Sequence, residues 1–309
     1  MRSGDCTHIC SRVAALQNRS LPTLAYAIFA LGGSLPTMKI QLFAYLPLAA
    51  GALAAPRATG SDCTRETLKA NTDTYIAAQS AGKPEDLLAL GTSNTTYVEN
   101  TIVKDIKAGI LSQPLKIDHN RSTLDTTQCA TYTELIVTDV KNPHVIGTQM
   151  RFNGGKLSKV ETLLTQAGDW AFNATGTLYY ASREDGQWGT IPEKDRDSRA
   201  VIQAAADAYL DLFNNKSVIV PWGTPCSRLE GSWYTGKGLA NDTCNIGVPS
   251  GVRISERRYV IDDTVGTVDA FVKFSTRPDS HEFRIEKGKI RFVHTLTVMR
   301  NITSKRWTS

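Results

Sequence analysis

Apolar and polar residues alternate most clearly near the C-terminus, where residues 281–299 predict a β-hairpin that turns at Lys287-Gly288-Lys289. One face of its return strand carries Ile290, Phe292, His294, Leu296 and Val298, and the other carries Arg291, Val293, Thr295 and Thr297. His294 is the one polar residue on the first face, so we expect it to face a core or a cavity.

A second segment, residues 147–165, has the same strand–Gly-Lys–strand form. Gly155 matches Gly288, and Glu161 falls where His294 falls. Further upstream, the matched positions are Asp73 with Asp207, Tyr75 with Tyr209, and Glu99 with Glu230. The separation between matched residues stays nearly constant, which predicts an internal duplication.

The duplication divides the chain into a leader (1–55), a first half (56–167), a connector (168–196) and a second half (197–309). Each half begins with a helix, capped by Ser61 or Asp62 in the first and by Asp197 or Ser198 in the second. Strands are predicted at residues 95–99, 130–138, 145–152 and 157–165, then at 257–262 and 267–274 before the hairpin. The aromatic-rich connector packs across both halves, or alternatively forms a strand pair in the first half.

The formal net charge of +5 comes mostly from the first 57 residues, so the rest of the chain is nearly neutral. A nucleic-acid-binding protein would show a basic face, so we expect no nucleic-acid partner. Met38-Lys39, the apolar residues 40–55 and the small residues Ala52-Leu53-Ala54 are typical of a secretory signal peptide. The alternative is a membrane anchor over residues 21–55, and in either case membrane contact is confined to the leader.

Two further features predict a secreted or vesicular protein. Sequons for N-glycosylation follow the signal, at Asn94, Asn120, Asn173, Asn215, Asn241 and Asn301. Four cysteines also remain after it, and an even number in this context predicts two disulfides. Of the three possible pairings, we favour Cys63–Cys129 and Cys226–Cys244, with one bond in each half.

The sequence contains no Gly-rich phosphate loop, no metal-ligand spacing and no Ser-His-Asp signature, so we expect neither a metal nor a cofactor. Polar residues that could converge in the second half are Tyr209, Arg228, Glu230, Tyr234, Tyr259, Asp262 and His294. Each has a simpler interpretation: His294 could be a satisfied core histidine, and Arg228 could pair with Glu230. Trp233 and Tyr234 lie between Cys226 and Cys244, where aromatic residues either pack or contact a ligand.

The element order resembles the SnoaL-like (nuclear transport factor 2-like) fold, which implies an α+β protein of two tandem cones with helices packed on a curved antiparallel sheet. Four motifs resemble a fungal secreted family over about residues 60–300: Pro225-Cys-Ser-Arg-Leu-Glu-Gly231, Cys244-Asn-Ile-Gly-Val-Pro249, Arg257-Arg-Tyr-Val260 and Ile290-Arg-Phe-Val-His294. Some members of that family are intermolecular hetero-Diels–Alderases of tropolone sesquiterpenoid biosynthesis.

The resemblance implies a cofactor-free cyclase that joins a tropolone o-quinone methide to a sesquiterpene such as humulene. His294, paired with Glu230 or Asp262, is the expected acid–base group, with a neutral imidazole because burial disfavours its charged form. The expected contacts to small apolar polyketide and terpene substrates are Tyr209, Arg228, Trp233, Tyr234, Tyr259 and Phe292. The alternative is a non-catalytic ligand-binding or structural protein. Folds of this kind often form homodimers, so the chain either dimerises or pairs its own two halves.

Overall fold

The computed structural model describes residues 63–300; the predicted leader, the cap candidates Ser61 and Asp62, and Asn301 lie outside the described residues. The first half contains helices α1 (Arg65–Ala81) and α2 (Pro84–Leu88). Its strands are β1 (Gly91–Glu99), β2 (Ile102–Val103), β3 (His119–Asp125), β4 (Ala130–Val137), β5 (His144–Asn153) and β6 (Lys156–Thr165). Short 3-10 helices at Ile106–Ala108 and Ile110–Ser112 lie between β2 and β3.

The connector forms helix α3 (Ala174–Glu184) and 3-10 turns at Asp185–Gln187 and Glu193–Asp195, and the second half begins with α4 (Arg199–Leu212). The strands that follow are β7 (Trp222–Glu230), β8 (Trp233–Tyr234), β9 (Ile254–Asp262), β10 (Thr267–Phe274), β11 (Arg277–Glu286) and β12 (Lys289–Thr297).

Each half contains one six-stranded sheet, and the two sheets have the same strand order: β2-β1-β6-β5-β4-β3 and β8-β7-β12-β11-β10-β9. The predicted α+β class with two tandem units is therefore confirmed. The sheets are mixed rather than antiparallel throughout, because β1 runs parallel to β6 and β7 runs parallel to β12.

Helix α1 buries one stripe of residues against the first sheet. Each member lies three or four positions from another, as the helical repeat requires: Leu68, Thr72, Tyr75, Ala78 and Gln79. The observed N-cap is Thr64, whose side chain accepts a hydrogen bond from the Thr67 N–H, and neither predicted cap residue takes that place. The helix ends at Gly82, which has φ +66° and leaves no room for a Cβ beside Pro114. In the second half Ser198 caps α4, as predicted.

The two sheets face each other through the sides that the helices leave free. We call this contact the seam, and its apolar part contains Ala130, Tyr132 and Leu163 from the first sheet and Val260 and Phe271 from the second. Tyr132 and Phe271 meet edge to face, with ring centroids 6.1 Å apart. The halves of one chain thus cover each other's outer sheet faces.

Two crossed ion pairs fix the seam with approximate two-fold symmetry. Asp125, at the end of β3, accepts from Arg199 of α4 at 2.9 and 2.8 Å and from the Ile261 N–H at 2.9 Å. Asp262, at the equivalent end of β9, accepts from Arg65 of α1 at 2.8 Å and from the Leu124 N–H at 3.1 Å. Both carboxylates are buried, so each half supplies the cation that the other half's buried carboxylate requires.

Helix α3 of the connector lies over one edge of the seam. Its residues Ala174 and Ala181 share an apolar cluster with Ile136 and Val145 of the first sheet and with Leu229 and Leu296 of the second. The connector therefore contacts both sheets through a helix, and residues 168–196 contain no strand pair.

The disulfides join Cys63 to Cys129 and Cys226 to Cys244, the pairing that the sequence favoured. The second bond closes the loop that follows β8 onto β7. Between residues 63 and 300, none of the helices has the length and apolar character needed to span a membrane.

We predict that breaking one of the crossed ion pairs strongly destabilises the fold. Replacing Arg199 with Met keeps the aliphatic stem but leaves Asp125 buried without its cation, which should lower the free energy of unfolding by about 3 kcal/mol. Lys69→Met is the matched control, because it removes an exposed helix-surface pair with Asp73 and should cost no more than about 0.5 kcal/mol. Urea denaturation measures both variants, and an equal loss in the two would contradict this account.

Candidate functional site

His294 lies in the seam and not in the interior of the second half. Bulges beside Ile285 and Ile290 change the alternation, so that Ile290 and Val293 both pack on the α4 side while Phe292, His294 and Leu296 face away from it. Both faces of β12 are buried. The alternation alone could therefore not show which face meets the helix.

The residues around His294 form a buried charged group that we call the His294 cluster: Arg121, Glu134, Glu184, Glu282 and His294. His294 Nε2 lies 2.9 Å from Glu184 Oε2, and Nδ1 lies 3.4 Å from Glu134 Oε2. Arg121 Nη2 lies 2.6 Å from Glu282 and 2.9 Å from His294 Nδ1. These side chains come from both sheets and from α3, so neither half holds the cluster alone.

His294 has hydrogen-bond partners in both of its protonation states. A neutral ring donates from Nε2 to Glu184 and accepts at Nδ1 from Arg121, whereas an imidazolium directs its Nδ1–H to Glu134. Burial and the charge of Arg121 lower the pKa of His294, but Glu134 and Glu184 outweigh them and raise it to about 9. The imidazolium in turn helps to lower the pKa of Glu134 to about 2 against the effect of burial.

The sequence prediction was therefore wrong on two aspects of His294. Its pKa is raised rather than lowered, which favours the charged ring at neutral pH, because Glu134 of the first half and Glu184 of α3 outweigh the effect of burial. Its partners are also not the predicted ones: Glu230 pairs with Arg228 at 3.0 Å, and Asp262 pairs with Arg65. Glu134 and Glu184 lie far from His294 in the sequence, and no local pattern marks them.

Glu134, Glu282 and His294 each place one possible metal-ligand atom within 4.8 Å of the others. The Arg121 guanidinium already lies among these atoms, and its carbon stacks 3.8 Å from the ring centroid of Trp188. The positive charge that a metal would bring is thus supplied by the chain itself, and the cluster does not suit a divalent ion while Arg121 occupies it.

A cleft of about 670 Å³ opens beside the His294 cluster, between α3 and the loop after β8; we call it the α3 cleft. Aromatic side chains from three elements line it, namely Tyr179, Tyr180, Tyr234 and Phe292. Glu184 also lines the cleft and is the member of the His294 cluster that reaches it. Of the predicted ligand contacts, Tyr234 and Phe292 lie here.

Glu184 is held by three hydrogen-bond donors. His294 Nε2 lies 2.9 Å away, the Tyr234 hydroxyl donates at 2.7 Å, and the Trp188 Nε1–H donates at 3.2 Å. Tyr180 stacks on Tyr234 with ring centroids 4.4 Å apart, which fixes the phenol. The proton of His294 is therefore one hydrogen bond from a carboxylate on the cleft wall.

Tyr209, Arg228 and Glu230 are brought together elsewhere, in the interior of the second half beneath α4. Arg228 Nη1 donates to the Tyr209 hydroxyl at 3.1 Å, and Tyr209 packs against His281, which the sequence did not single out as a site residue. His281 Nδ1 lies 3.1 Å from Asp279 Oδ2, but within residues 63–300 these two atoms and Arg228 Nε have no aligned hydrogen-bond partner. Large side chains fill this interior.

The remaining predicted ligand contacts lie apart from both groups. Tyr259 donates to Asp207 on the outside of α4, and the Trp233 side chain is half exposed near Gly247. The described sequon asparagines are all exposed: Asn94, Asn120, Asn173, Asn215 and Asn241.

The second half matches a family model described as a Domain of unknown function (DUF8021), over residues 195–297. No curated protein matches the chain.

Solved structures that the chain matches are an NTF-2 like protein of unknown function from Burkholderia xenovorans LB400, AclR from Streptomyces galilaeus, and a de novo designed protein with a curved β-sheet. Their identities are 14%, 8% and 16%, and their TM-scores are 0.27, 0.26 and 0.23. The matches cover 33%, 34% and 33% of this chain and 84%, 92% and 100% of theirs.

We predict that His294 makes stability depend on pH. Because its pKa is raised from 6.5 to about 9 in the folded protein, the imidazolium stabilises the fold fully below pH 6.5, and this contribution is lost as the pH rises through about 9. Its size is of the order of 3 kcal/mol.

The comparison that isolates this effect is wild type against His294→Gln, by urea denaturation at about pH 6 and about pH 10. The difference between the two proteins in unfolding free energy should shrink by most of that amount at the higher pH. A difference that stays constant would show that His294 does not titrate in this range.

Proposed function

We propose that this protein is a cofactor-free cyclase, which binds small polyketide and terpene reactants in the α3 cleft and uses the Glu184–His294 pair to move a proton. The observation that carries the proposal is that Glu184, on the cleft wall, lies 2.9 Å from the buried His294. A carboxylate that reaches a cleft and is backed by a charged imidazole suits general acid–base catalysis.

The reaction that we propose in particular is an intermolecular hetero-Diels–Alder addition. Loss of water from a hydroxymethyl tropolone gives the o-quinone methide, and this step needs one proton on the departing hydroxyl and removal of one from the ring hydroxyl. The cycloaddition to a sesquiterpene such as humulene then forms a C–C and a C–O bond without further proton transfer.

Different residues of the cleft would serve the dehydration and the cycloaddition. Glu184 would transfer the protons of the first step, with the Tyr234 hydroxyl and His294 acting through Glu184 as positioning groups. The aromatic walls would hold the diene and the alkene together for the second step, in which orientation supplies most of the rate. Tyr234 is not suited to release its own proton, because burial and the charge of Glu184 raise the pKa of its hydroxyl.

We predict that Glu184→Gln and His294→Gln each lower turnover by about 10²-fold or more, if the proton step limits the rate. The assay incubates purified protein with the hydroxymethyl tropolone and humulene and follows the adduct by mass spectrometry. His119→Gln is the control, because His119 lies 2.7 Å from the exposed Asp185 and neither residue lines the cleft. It should leave turnover unchanged.

Thermal unfolding of each variant shows whether a loss of turnover comes from a loss of fold. Tyr234→Phe serves as a milder probe, since it keeps the ring stack on Tyr180 and removes only the hydroxyl. Full turnover in a folded Glu184→Gln protein would reject the acid–base role, and binding without any adduct would favour a non-catalytic carrier.

We also propose that the protein enters the secretory pathway, which the two disulfides and the exposed sequons support. The mature chain is then expected to start near Ala55 and to carry N-glycans. Mass spectrometry of the native protein before and after glycosidase treatment measures both. An intact Met1 terminus without sugars would be the contrary result.

A further inference from the structure

The walls of the α3 cleft carry more positive than negative charge. Arg183, Lys237 and Arg291 line it, whereas Glu184 and Asp242 are its acidic residues. Both carboxylates are already engaged. Glu184 accepts from the three donors described above, and Asp242 Oδ2 accepts from the backbone N–H groups of Lys237 and Leu239 at 2.7 and 3.1 Å.

Arg291 Nε forms an ion pair with Glu286 at 3.6 Å, a distance too long for a hydrogen bond. The other two cations, Arg183 and Lys237, are exposed. The Arg183 guanidinium carbon lies 4.6 Å from the ring centroid of Tyr179. Among residues 63–300, no carboxylate forms an ion pair with Arg183 or with the Lys237 ammonium group. The cleft therefore presents two cations that no described carboxylate pairs with.

Flat rings stand beside these cations. The planes of the stacked Tyr180 and Tyr234 rings are inclined by only 14° to each other, and Phe292 lines the cleft from β12. Such surfaces favour a planar conjugated ligand, and a guanidinium over a ring adds a cation–π contact.

We propose that the α3 cleft selects a planar, conjugated organic anion, with its charge held by Arg183 and Lys237 and its ring placed along Tyr180 and Tyr234. This inference rests on the proposed function in that it names the substrate class of the same cleft. A carboxylate or an enolate on a ring would satisfy it, because either anion can accept from several cationic donors at once. An uncharged ring of the same size would leave the cations without a partner.

Binding of two isosteric probes tests the charge selection directly: 2-naphthoate and the uncharged 2-naphthylmethanol, each measured by calorimetry with the full chain. The anion should bind at least about fivefold more tightly at low salt, and the advantage should fall as the salt concentration rises. The variants Lys237→Met and Arg183→Met should each weaken naphthoate by about fivefold and leave naphthylmethanol unchanged.

Lys194→Met is the matched control, since Lys194 is an exposed lysine outside the cleft, and it should bind both probes as the wild type does. Equal affinity for the two probes, or no binding of either at millimolar concentration, would overturn the inference. An equal weakening by Lys194→Met would do the same, because it would show a general charge effect.

The variant Glu184→Gln distinguishes a failure of the ligand inference from a failure of the proposed catalytic function. Glu184→Gln removes the acid–base group without removing a cation, so it should keep its selectivity for naphthoate while it loses turnover. Selective binding with normal turnover in Glu184→Gln would reject the catalytic proposal alone. Turnover without charge selectivity would reject the ligand proposal alone.

Discussion

Buried charge between the two sheets determines how the two halves of the chain pack together. Asp125 and Asp262 lose their hydration in the seam, and each is matched by an arginine from the first turn of the opposite half's helix. Removing either arginine leaves an uncompensated carboxylate in the interior, which costs far more than losing an exposed pair. The halves are therefore held in one register, and α3 and the α3 cleft depend on that register.

The approximate two-fold symmetry between the halves relates the two ends of the seam, but the residues at these ends differ. Arg121 and Arg258 occupy equivalent positions on β3 and β9, and each meets the equivalent residue of the opposite sheet, His294 and Glu161. At the Arg258 end, Arg258 forms an ion pair with Glu161, and Lys159 also pairs with Glu161. At the Arg121 end, Glu134, Glu184 and Glu282 surround an imidazole. A duplicated fold thus supplies a structural contact at one end and a titrating group at the other.

The sequence was informative about the fold because the duplication repeats its pattern. The hairpins, α1, α4 and the tandem α+β class could be predicted from periodicity, and the strand β3 could not. Most of β3 is polar, His-Asn-Arg-Ser-Thr-Leu-Asp, since its seam-facing residues enter hydrogen bonds rather than an apolar core. A pattern method expects buried strands to be apolar and fails where a sheet face is buried but charged.

The site was less predictable for a related reason. His294 stood out as a polar residue on an apolar face, yet its environment is set by Glu134, Glu184 and Arg121 from other elements. Only the packing of the first half and α3 on the second half brings these charges to the ring. Tyr234 and Phe292 were found because they lie near the disulfide loop and the hairpin, which the sequence marks locally.

The seam holds the His294 imidazole behind the Glu184 carboxylate of the cleft, and the raised pKa of His294 favours its charged form. Nitrogen-15 NMR of the His294 ring through a pH titration tests it most directly, because the two ring nitrogens report protonation and partner separately. We expect a pKa of about 9 for His294 in the wild type and a lower value in Glu184→Gln, which removes one of the carboxylates that raise it. A pKa at or below the ordinary 6.5, or one that Glu184→Gln does not change, would show that the carboxylates do not hold the proton on the ring.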